Sequence, residues 1–209
     1  MNPRQVAVLD YGIGNLHSVA KALRAVGTTP VLTSDPEGVR RADMLVVPGV
    51  GAFADCLGCL LKSELDQPVL EFIRSGRPFL GICVGMQMLF SESREFGTHK
   101  GLGVIEGTVD RLKEEDGVKV PHIGWNAIRP ARPWSGSFLE ECPPGEMLYF
   151  VHSFAATPSR EQDRLADALY GSNRICAAVQ KENVMGTQFH PEKSGPLGLK
   201  ILERFVTLK

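Results

Sequence analysis

A cysteine flanked by glycines is the strongest chemical signal in the sequence. An apolar stretch at residues 78–82 runs into Gly81-Ile82-Cys83-Val84-Gly85, and a second apolar stretch follows, which predicts a strand, a sharp turn and a helix. A side chain on such a turn projects above the edge of a sheet, and the two glycines allow the strand and the helix to approach closely. The amino end of a helix favours the thiolate. The pattern predicts that Cys83 is a nucleophile; the alternative is a small core residue.

A histidine and a glutamate follow another apolar strand, predicted at residues 184–189. His190 can accept and return a proton, and the carboxylate of Glu192 can fix the tautomer of His190 and stabilise its charged form. Pro191 stiffens the turn between them. A single His-x-Glu is more commonly a solvated turn. Together with a cysteine at another strand end, however, the pair completes a set typical of nucleophilic catalysis.

Two glycines lie in the loop after the third predicted strand, in Pro48-Gly49-Val50-Gly51. Such a loop can direct backbone N–H groups at a developing oxyanion, although an ordinary strand-to-helix loop has the same composition. The carboxyl ends of parallel strands share one edge, so we expect this loop and Cys83 to face one crevice. Because glycines flank Val50, we expect its peptide to adopt two orientations at low steric cost, and only one of them aims its N–H at the oxyanion.

Several other motifs predict no cofactor and no metal. Gly12-Ile13-Gly14 follows the first predicted strand, but His17 stands where the dinucleotide-binding fingerprint has a small residue, and the sequence contains no phosphate-binding Gly-x4-Gly-Lys-Ser/Thr. Cys56 and Cys59 form a C-x-x-C with apolar neighbours and no second cysteine pair, which favours a helix face over a zinc or redox site. The remaining histidines lack metal-ligand spacing, and we interpret them as structural or surface residues: His17, His99, His122 and His152.

The elements that position these residues alternate in the first half of the chain. The patterns predict strands at residues 5–9, 30–33, 44–47 and 78–82, and helices at residues 16–26, 53–62 and 68–74. This alternation predicts an α/β fold with a doubly wound, mostly parallel sheet and helices on both faces.

The second half of the chain favours strands and predicts a mixed or antiparallel extension of the sheet. The predicted strands are residues 103–112, 118–129, 147–155, 166–170, 175–180 and 184–189. Residues 181–183 read as a hairpin turn, residues 197–208 as a closing helix and residues 129–145 as a surface loop. We interpret residues 1–209 as a single domain.

Composition restricts the class of protein. The chain has 209 residues, 43% of them hydrophobic, with a formal net charge of -1, so it can bury one sizeable core and has no basic excess for nucleic acid or an anionic membrane. The sequence shows no signal-peptide pattern and no apolar run near 18 residues, and its five cysteines are expected to be reduced. We expect a soluble, cytoplasmic protein that binds a small polar ligand or a protein partner.

The three motifs resemble the class I glutamine amidotransferases in their order and approximate separation, over nearly the whole chain. The motifs are Pro48-Gly-Val-Gly51, Gly81-Ile-Cys-Val-Gly-Met-Gln87 and His190-Pro-Glu192. The resemblance implies that Cys83 attacks the side-chain amide of glutamine, that His190 protonates the departing ammonia, and that Glu192 orients His190. It further implies oxyanion-binding N–H groups on Val50 and Val84, and glutamine-binding residues Gly51, Gln87, Glu95 and Ser153.

Three further segments, at residues 10–16, 122–126 and 191–194, are similar to one branch of that family, the glutaminase subunits of imidazole glycerol phosphate synthase. This similarity implies a heterodimer in which ammonia passes into a (β/α)8-barrel cyclase subunit. The cyclase uses it to make imidazole glycerol phosphate and an aminoimidazole carboxamide ribonucleotide in histidine biosynthesis. The positions that match the partner interface are Asn15, Trp125, Tyr149, His152 and Lys193.

Three alternatives remain open from the residues. The acceptor of the ammonia could belong to anthranilate, carbamoyl phosphate, guanylate or pyridoxal phosphate synthesis, against which the Gly-Ile-Gly-Asn-Leu and Gly-Trp-Asn segments argue. A cysteine hydrolase on a related sheet is disfavoured by the separate His190–Glu192 pair. A catalytically silent subunit is disfavoured because Cys83, His190 and Glu192 are all present.

Overall fold

The computed structural model describes residues 4–208, which form two β-sheets and the helices that cover them. The helices are α1 (Leu16–Ala25), α2 (Pro36–Arg41), α3 (Phe53–Lys62), α4 (Asp66–Arg74), α5 (Val84–Gln87) and α6 (Gly195–Thr207). The strands are β1 (Val6–Leu9), β2 (Val31–Thr33), β3 (Met44–Gly49), β4 (Phe79–Cys83), β5 (Phe90–Ser93), β6 (His99–Lys100), β7 (Ile105–Arg111), β8 (His122–Pro130), β9 (Met147–His152), β10 (Phe154–Pro158), β11 (Arg164–Tyr170), β12 (Asn173–Lys181) and β13 (Val184–Thr187). Two short 3-10 helices span Glu161–Asp163 and Pro191–Lys193.

The larger sheet has nine strands in the order β2-β1-β3-β4-β13-β12-β11-β8-β9. The first five strands are parallel to one another. From β12 onward each strand is antiparallel to the one before it. A smaller sheet has the order β10-β7-β5-β6. The predicted fold class, a doubly wound parallel sheet with a mixed or antiparallel extension, is confirmed.

The parallel strands are covered on both faces. β1, β3 and β4 are buried along their whole length, as expected for strands packed between two layers of helices. α2 packs on α4. With the right-handed crossovers that parallel strands favour, this strand order puts α1 on one face of the sheet and α2, α3 and α4 on the other. The closing helix α6 packs on α1, and the Arg4 guanidinium donates a hydrogen bond to the carbonyl of Leu208 just beyond the end of α6.

Strand register brings three loops to one edge of the parallel sheet. Gly49 at the end of β3 pairs with Cys83 at the end of β4, and Thr187 at the end of β13 pairs with Ile82. The segments that follow these strands therefore meet at the carboxyl edge, where doubly wound folds place their sites.

The predicted strand at residues 147–155 is wrong. The segment forms two strands, β9 and β10, which belong to different sheets and are separated by Ser153. The carbonyl of Ser153 accepts a hydrogen bond from Leu112 N at 2.8 Å, which ties the point of separation to the end of β7. The apolar pattern runs through the break because the strands on both sides of it are half-buried or buried.

Two other sequence-based predictions need correction. The helix after Cys83 is a single turn, α5, because Met88 and Leu89 then pair with the segment before β7. Residues 129–145 do not form a purely surface loop: Trp134 and Phe138 are buried, and the Trp134 indole donates to Leu165 O at 2.9 Å. Proline and glycine content predicted the irregular backbone of this segment but not its apolar anchors.

Candidate active site

Cys83 lies in a sharp turn, the elbow (residues 81–85), between β4 and α5. Its backbone has φ 57° and ψ −113°, a conformation that residues with a side chain rarely adopt. The elbow is closely packed: a Cβ on Gly85 would lie 1.9 Å from Val47 O, and one on Gly81 would lie 2.6 Å from Gly85 O. Glycine is therefore required at both positions for the strand and the helical turn to approach each other, as the sequence predicts.

His190 and Glu192 form a buried pair three residues beyond the end of β13. The distance between His190 Nδ1 and Glu192 Oε1 is 2.8 Å, and their side chains are 2% and 1% exposed. Backbone bonds hold the histidine: His190 N donates to Tyr149 O at 2.9 Å, and the Ser194 hydroxyl donates to His190 O at 2.7 Å. Neighbouring β9 and Ser194 thus hold the backbone of His190, and Glu192 orients its imidazole.

The electrostatics of the pair favour a charged imidazole. Burial lowers the pKa of His190, but the Cys83 side chain and the Glu192 carboxylate outweigh burial and raise the pKa to about 9. The His190 Nε2 atom is buried and has no hydrogen-bond partner among residues 4–208. This nitrogen is therefore available to exchange a proton with a molecule at Cys83.

Cys83 and His190 share a cavity of about 390 Å³ at the carboxyl edge of the sheet. Every residue predicted to bind the oxyanion or glutamine lines this cavity: Val50, Gly51, Val84, Gln87, Glu95 and Ser153. The other lining residues are Pro121, Val151, His152, Phe154 and Lys193. The structure therefore brings the predicted nucleophile, base and substrate-binding positions together around one space.

Two of these polar side chains also hold the cavity wall. Gln87 Nε2 donates to Phe154 O at 2.9 Å and to Gln188 Oε1 at 3.0 Å. Glu95 Oε2 accepts from Phe53 N at 2.6 Å and so caps the first turn of α3. Gln87 and Glu95 therefore each stabilise the wall of the cavity. Their predicted contacts with glutamine would be made in addition to these hydrogen bonds.

The glycine loop (residues 48–51) lies beside the elbow, and Val50 and Gly51 line the cavity. The Tyr11 hydroxyl donates to Pro48 O at 2.7 Å, and the Cys56 thiol donates to Val50 O at 3.2 Å. Burial raises the pKa of Cys56 to about 11, so the thiol keeps the proton that it donates. Gly51 has φ +87°, and in the described part of the chain no atom beyond its two sequence neighbours lies within 4 Å of where its Cβ would be.

Gly49 and Gly51, the two glycines that flank Val50, differ in the space around them. A Cβ on Gly49 would lie 2.6 Å from Gly85 N, so Gly49 is packed against the elbow. The backbone is less crowded on the Gly51 side of Val50, and the two orientations of the Val50 peptide stay a prediction.

The predicted interface residues separate into an exposed group and one buried residue. Trp125 is 52% exposed, its ring lies 6.1 Å from that of Tyr149, and Lys193 Nζ lies 5.8 Å from the centre of the Tyr149 ring. Asn15 precedes α1 and is half-buried. His152 is 7% exposed and lines the cavity, so it lies behind this surface and not on it.

Sequence reasoning missed Gln188, Tyr11 and Cys56 as residues that contact the site. Gln188 Nε2 lies 3.6 Å from Cys83 Sγ, and the side chain is fully buried. One signal was available: Gln188 is a polar residue inside the apolar run at residues 184–189. The contact of Tyr11 joins positions 37 residues apart, so no local pattern indicates it. Cys56 binds the carbonyl of a residue only six positions away, but its apolar neighbours indicated a helix face and not a contact with the loop.

Two observations concern other classes of site. Within residues 4–208 no group of three or more His, Cys, Asp or Glu side chains is arranged to hold a metal ion. In the same part of the chain, no helix combines the length and the apolar character needed to cross a membrane.

The chain is similar to known proteins in sequence and in fold. The family model for glutamine amidotransferase class-I matches residues 7–208. The chain is 47% identical to imidazole glycerol phosphate synthase subunit HisH 1 of Legionella pneumophila (strain Lens), over 97% of this chain and 99% of the relative. It is 49% identical to subunit HisH of Geobacter metallireducens, over 98% of both proteins. Its fold is similar to that of PurLQS from Thermotoga maritima, with a TM-score of 0.74 at 20% identity over 98% of each chain.

Proposed function

The chain belongs to the class I glutamine amidotransferase family, and on that premise we propose that it is the glutaminase subunit of an imidazole glycerol phosphate synthase. The observation that carries the proposal is the cavity shared by the Cys83 thiol and the unpaired Nε2 of the His190–Glu192 pair. Relatives with nearly half of their residues identical over the full length bear the name of that subunit.

The first half-reaction releases ammonia. Cys83 Sγ attacks the carbonyl carbon of the glutamine side-chain amide, and the carbonyl oxygen becomes an oxyanion. Backbone N–H groups of Val50 and Val84 bind this oxyanion; Val84 begins α5, so its N–H has no partner within the helix. Protonated His190 then gives its Nε2 proton to the nitrogen as the C–N bond breaks, which leaves ammonia and a glutamyl thioester on Cys83.

The second half-reaction releases glutamate. Neutral His190 takes a proton from a water molecule, and the hydroxide formed attacks the thioester carbon. Collapse of the second tetrahedral intermediate expels the Cys83 thiolate and glutamate. Glu192 keeps the imidazole oriented in both steps, and its carboxylate stabilises the charged ring between them. Gly51, Gln87, Glu95 and Ser153 hold the amino acid in the cavity.

The partner in this proposal is a (β/α)8-barrel cyclase that receives the ammonia, in a cytoplasmic heterodimer of histidine biosynthesis. The outer face of β8, β9 and β11 suits a protein partner because large apolar side chains are exposed there: Ile123, Trp125, Met147 and Leu169. Asn15, Tyr149 and Lys193 complete the proposed interface, and His152 lies behind it.

The test of the activity is glutamate release by the chain with its cyclase partner. Cys83→Ala should abolish release because no other group can form the thioester, while synthesis from free ammonia should persist. His190→Ala should be severely impaired and Glu192→Ala less so, because Glu192 acts only through the imidazole. Cys142→Ala serves as the matched control. A glutamine-derived chloroketone should label Cys83 alone; equal labelling of Cys56 or Cys176 would contradict the assignment.

We further infer that the glycine loop controls this activity. If the Val50 N–H turns toward the oxyanion only when the synthase site is filled, the gain from one oxyanion donor is roughly 10²- to 10³-fold. The measurement is glutamate release by the chain alone, with the cyclase, and with the cyclase plus its ribonucleotide ligand. Rates should rise in that order, and identical rates in all three would eliminate the switch.

A further inference from the structure

A buried hydrogen-bonded chain begins at the sulfur of Cys83. Gln188 Nε2 donates to Cys83 Sγ at 3.6 Å, and Gln188 Oε1 accepts from Gln87 Nε2 at 3.0 Å. The same Gln87 nitrogen donates to Phe154 O at 2.9 Å. Both glutamines are almost completely buried, 0% and 2% exposed, so these contacts do not compete with bulk water.

The hydrogen-bonded chain continues from the cavity wall into the antiparallel extension of the sheet. Phe154 O lies 2.9 Å from His152 Nδ1, and His152 Nε2 lies 3.0 Å from His122 Nδ1. His122 Nε2 lies 3.4 Å from Asn126 Nδ2, which also donates to Leu169 O at 2.9 Å. The path thus runs from the nucleophile to β8 and β11, the strands that carry the exposed apolar face.

The direction of every hydrogen bond in this chain is fixed by its two backbone carbonyls, because a carbonyl oxygen only accepts. Phe154 O requires N–H groups from both His152 Nδ1 and Gln87 Nε2. Neutral His152 then has an acceptor at Nε2, and His122 must donate to it from Nδ1. On the other side, Gln87 donates to the oxygen of Gln188, which leaves the NH₂ group of Gln188 to face the sulfur.

The surroundings of the two histidines favour these neutral forms. His122 is stacked between Phe150 and Tyr170, with ring-centre distances of 5.0 and 4.0 Å. Burial lowers the pKa of His122 to about 4 and that of His152 to about 3. At neutral pH the pair therefore keeps the single arrangement of donors and acceptors described above.

We propose that Gln188 is a further catalytic residue, which donates an N–H to the Cys83 thiolate. His122 and His152 are positioning residues in this proposal: they hold Phe154 O in place, and Phe154 O orients Gln87 and through it Gln188. An N–H donor stabilises a thiolate more than a thiol, so the contact favours the nucleophilic form. The inference rests on the proposed function because it takes Cys83 as the nucleophile. In this proposal His122 and His152 act on Cys83 indirectly, through the hydrogen-bonded chain, and need no contact with glutamine.

The experiment measures alkylation of Cys83 by iodoacetamide as a function of pH, with peptide mass spectrometry to separate Cys83 from the other four cysteines. His190, Cys56 and Tyr11, whose pKa values respond to Cys83, are unchanged in the Gln188 variants, and so are the cavity-lining Glu95 and Lys193. Gln188→Leu should move the pH midpoint upward by about one unit and slow alkylation at neutral pH roughly tenfold. Gln180→Leu is the matched control, because Gln180 is not part of the hydrogen-bonded chain.

A second set of variants tests the positioning role. His152→Asn retains a donor near Phe154 O and should keep most of the wild-type midpoint, whereas His152→Leu and His122→Phe should shift it in the same direction as Gln188→Leu. Gln188→Met replaces the amide without shortening the side chain and provides the folded variant if leucine is not tolerated. Equal midpoints in wild type and a folded Gln188→Met would overturn the proposal.

Alkylation requires no turnover, so this result is independent of the proposed function. If wild type with its cyclase partner releases glutamate but the midpoint does not move in Gln188→Met, the proposed donor is wrong while the glutaminase function stands. Absence of glutamate release by the wild-type complex, with a shifted midpoint, would contradict the function and leave the hydrogen-bonded chain intact.

Discussion

The elbow and the Gly51 end of the glycine loop both border the cavity, and both depend on glycine, but for opposite reasons. At the elbow an added Cβ would collide with backbone atoms, at 1.9 Å for Gly85 and 2.6 Å for Gly81. At Gly51 in the loop an added Cβ would meet no atom, and glycine is favoured only by its φ of +87°. Packing therefore fixes the nucleophile, whereas two side-chain hydrogen bonds, from Tyr11 and Cys56, hold the carbonyl groups of the loop.

The comparison implies that the two walls of the cavity respond differently to perturbation. A packed turn resists displacement until the surrounding structure yields, because protein interiors are dense and deform little. A loop held by two hydrogen bonds can move at a cost of a few such bonds. The nucleophile is thus preset, and the oxyanion side is the part that can be adjusted.

The largest expected effect on stability comes from replacing the elbow glycine Gly85 by alanine, and the same replacement at Gly51 in the loop provides the comparison. Gly85→Ala should destabilise the fold by about 3 kcal/mol or more, because its Cβ meets the backbone of β3. Gly51→Ala should cost about 1 kcal/mol, the penalty of placing a side chain at positive φ. The free energies of unfolding can be compared by urea denaturation. Equal costs at the two positions would remove the distinction between elbow and loop.

The charge state of His190 is expected to depend on the elbow, which carries Cys83, and not on the glycine loop. Its pKa of about 9 lies above the ordinary 6.5, so the stabilisation by the charged ring is complete below pH 6.5 and is lost as pH rises through about 9. Cys83→Ala should lower this pKa more than Glu192→Gln does, because Cys83 is the larger of the two raising influences.

Histidine NMR titration, with His190 assigned by mutation, measures these values. Gly51→Ala should leave the titration of His190 unchanged, since the loop makes no hydrogen bond to the imidazole. A shift in that variant as large as in Cys83→Ala would show that loop and elbow are not independent.

The smallest expected effects on stability come from removing the two side-chain hydrogen bonds that hold the glycine loop. Tyr11→Phe and Cys56→Ala should each cost about 1 kcal/mol, the net value of one hydrogen bond. Amide hydrogen exchange at residues 49–51 should nevertheless become faster, with little change at residues 81–85. Cys56→Ser retains a donor to Val50 O and serves as the matched control. Unchanged exchange in both Tyr11→Phe and Cys56→Ala would mean that other contacts hold the loop.

Local patterns predicted most of the parallel sheet and the central residues of the candidate site. Apolar runs, helix periodicity and Gly-x-Cys-x-Gly are short-range signals, and each is visible within about ten residues of sequence. Ser153 was missed as a break between sheets because the strands on either side carry a continuous apolar pattern. The contact of Gln188 with Cys83 joins positions 105 residues apart, and that of Gln188 with Gln87 joins positions 101 apart. Such contacts depend on strand order, which no local pattern specifies.

The contact between Arg4 and Leu208 has a consequence for chain connectivity. These residues lie side by side at the amino edge of the parallel strands, on the opposite side of the sheet from the cavity. In a chain cut back to residues 4–208, a short linker between them, with new ends opened in the exposed segment at residues 116–117, would give a circular permutant that retains the pairings of β1–β13. A domain fused at the same point would lie away from the cavity. The order in which the chain visits its strands can therefore be changed while the geometry around Cys83 stays the same.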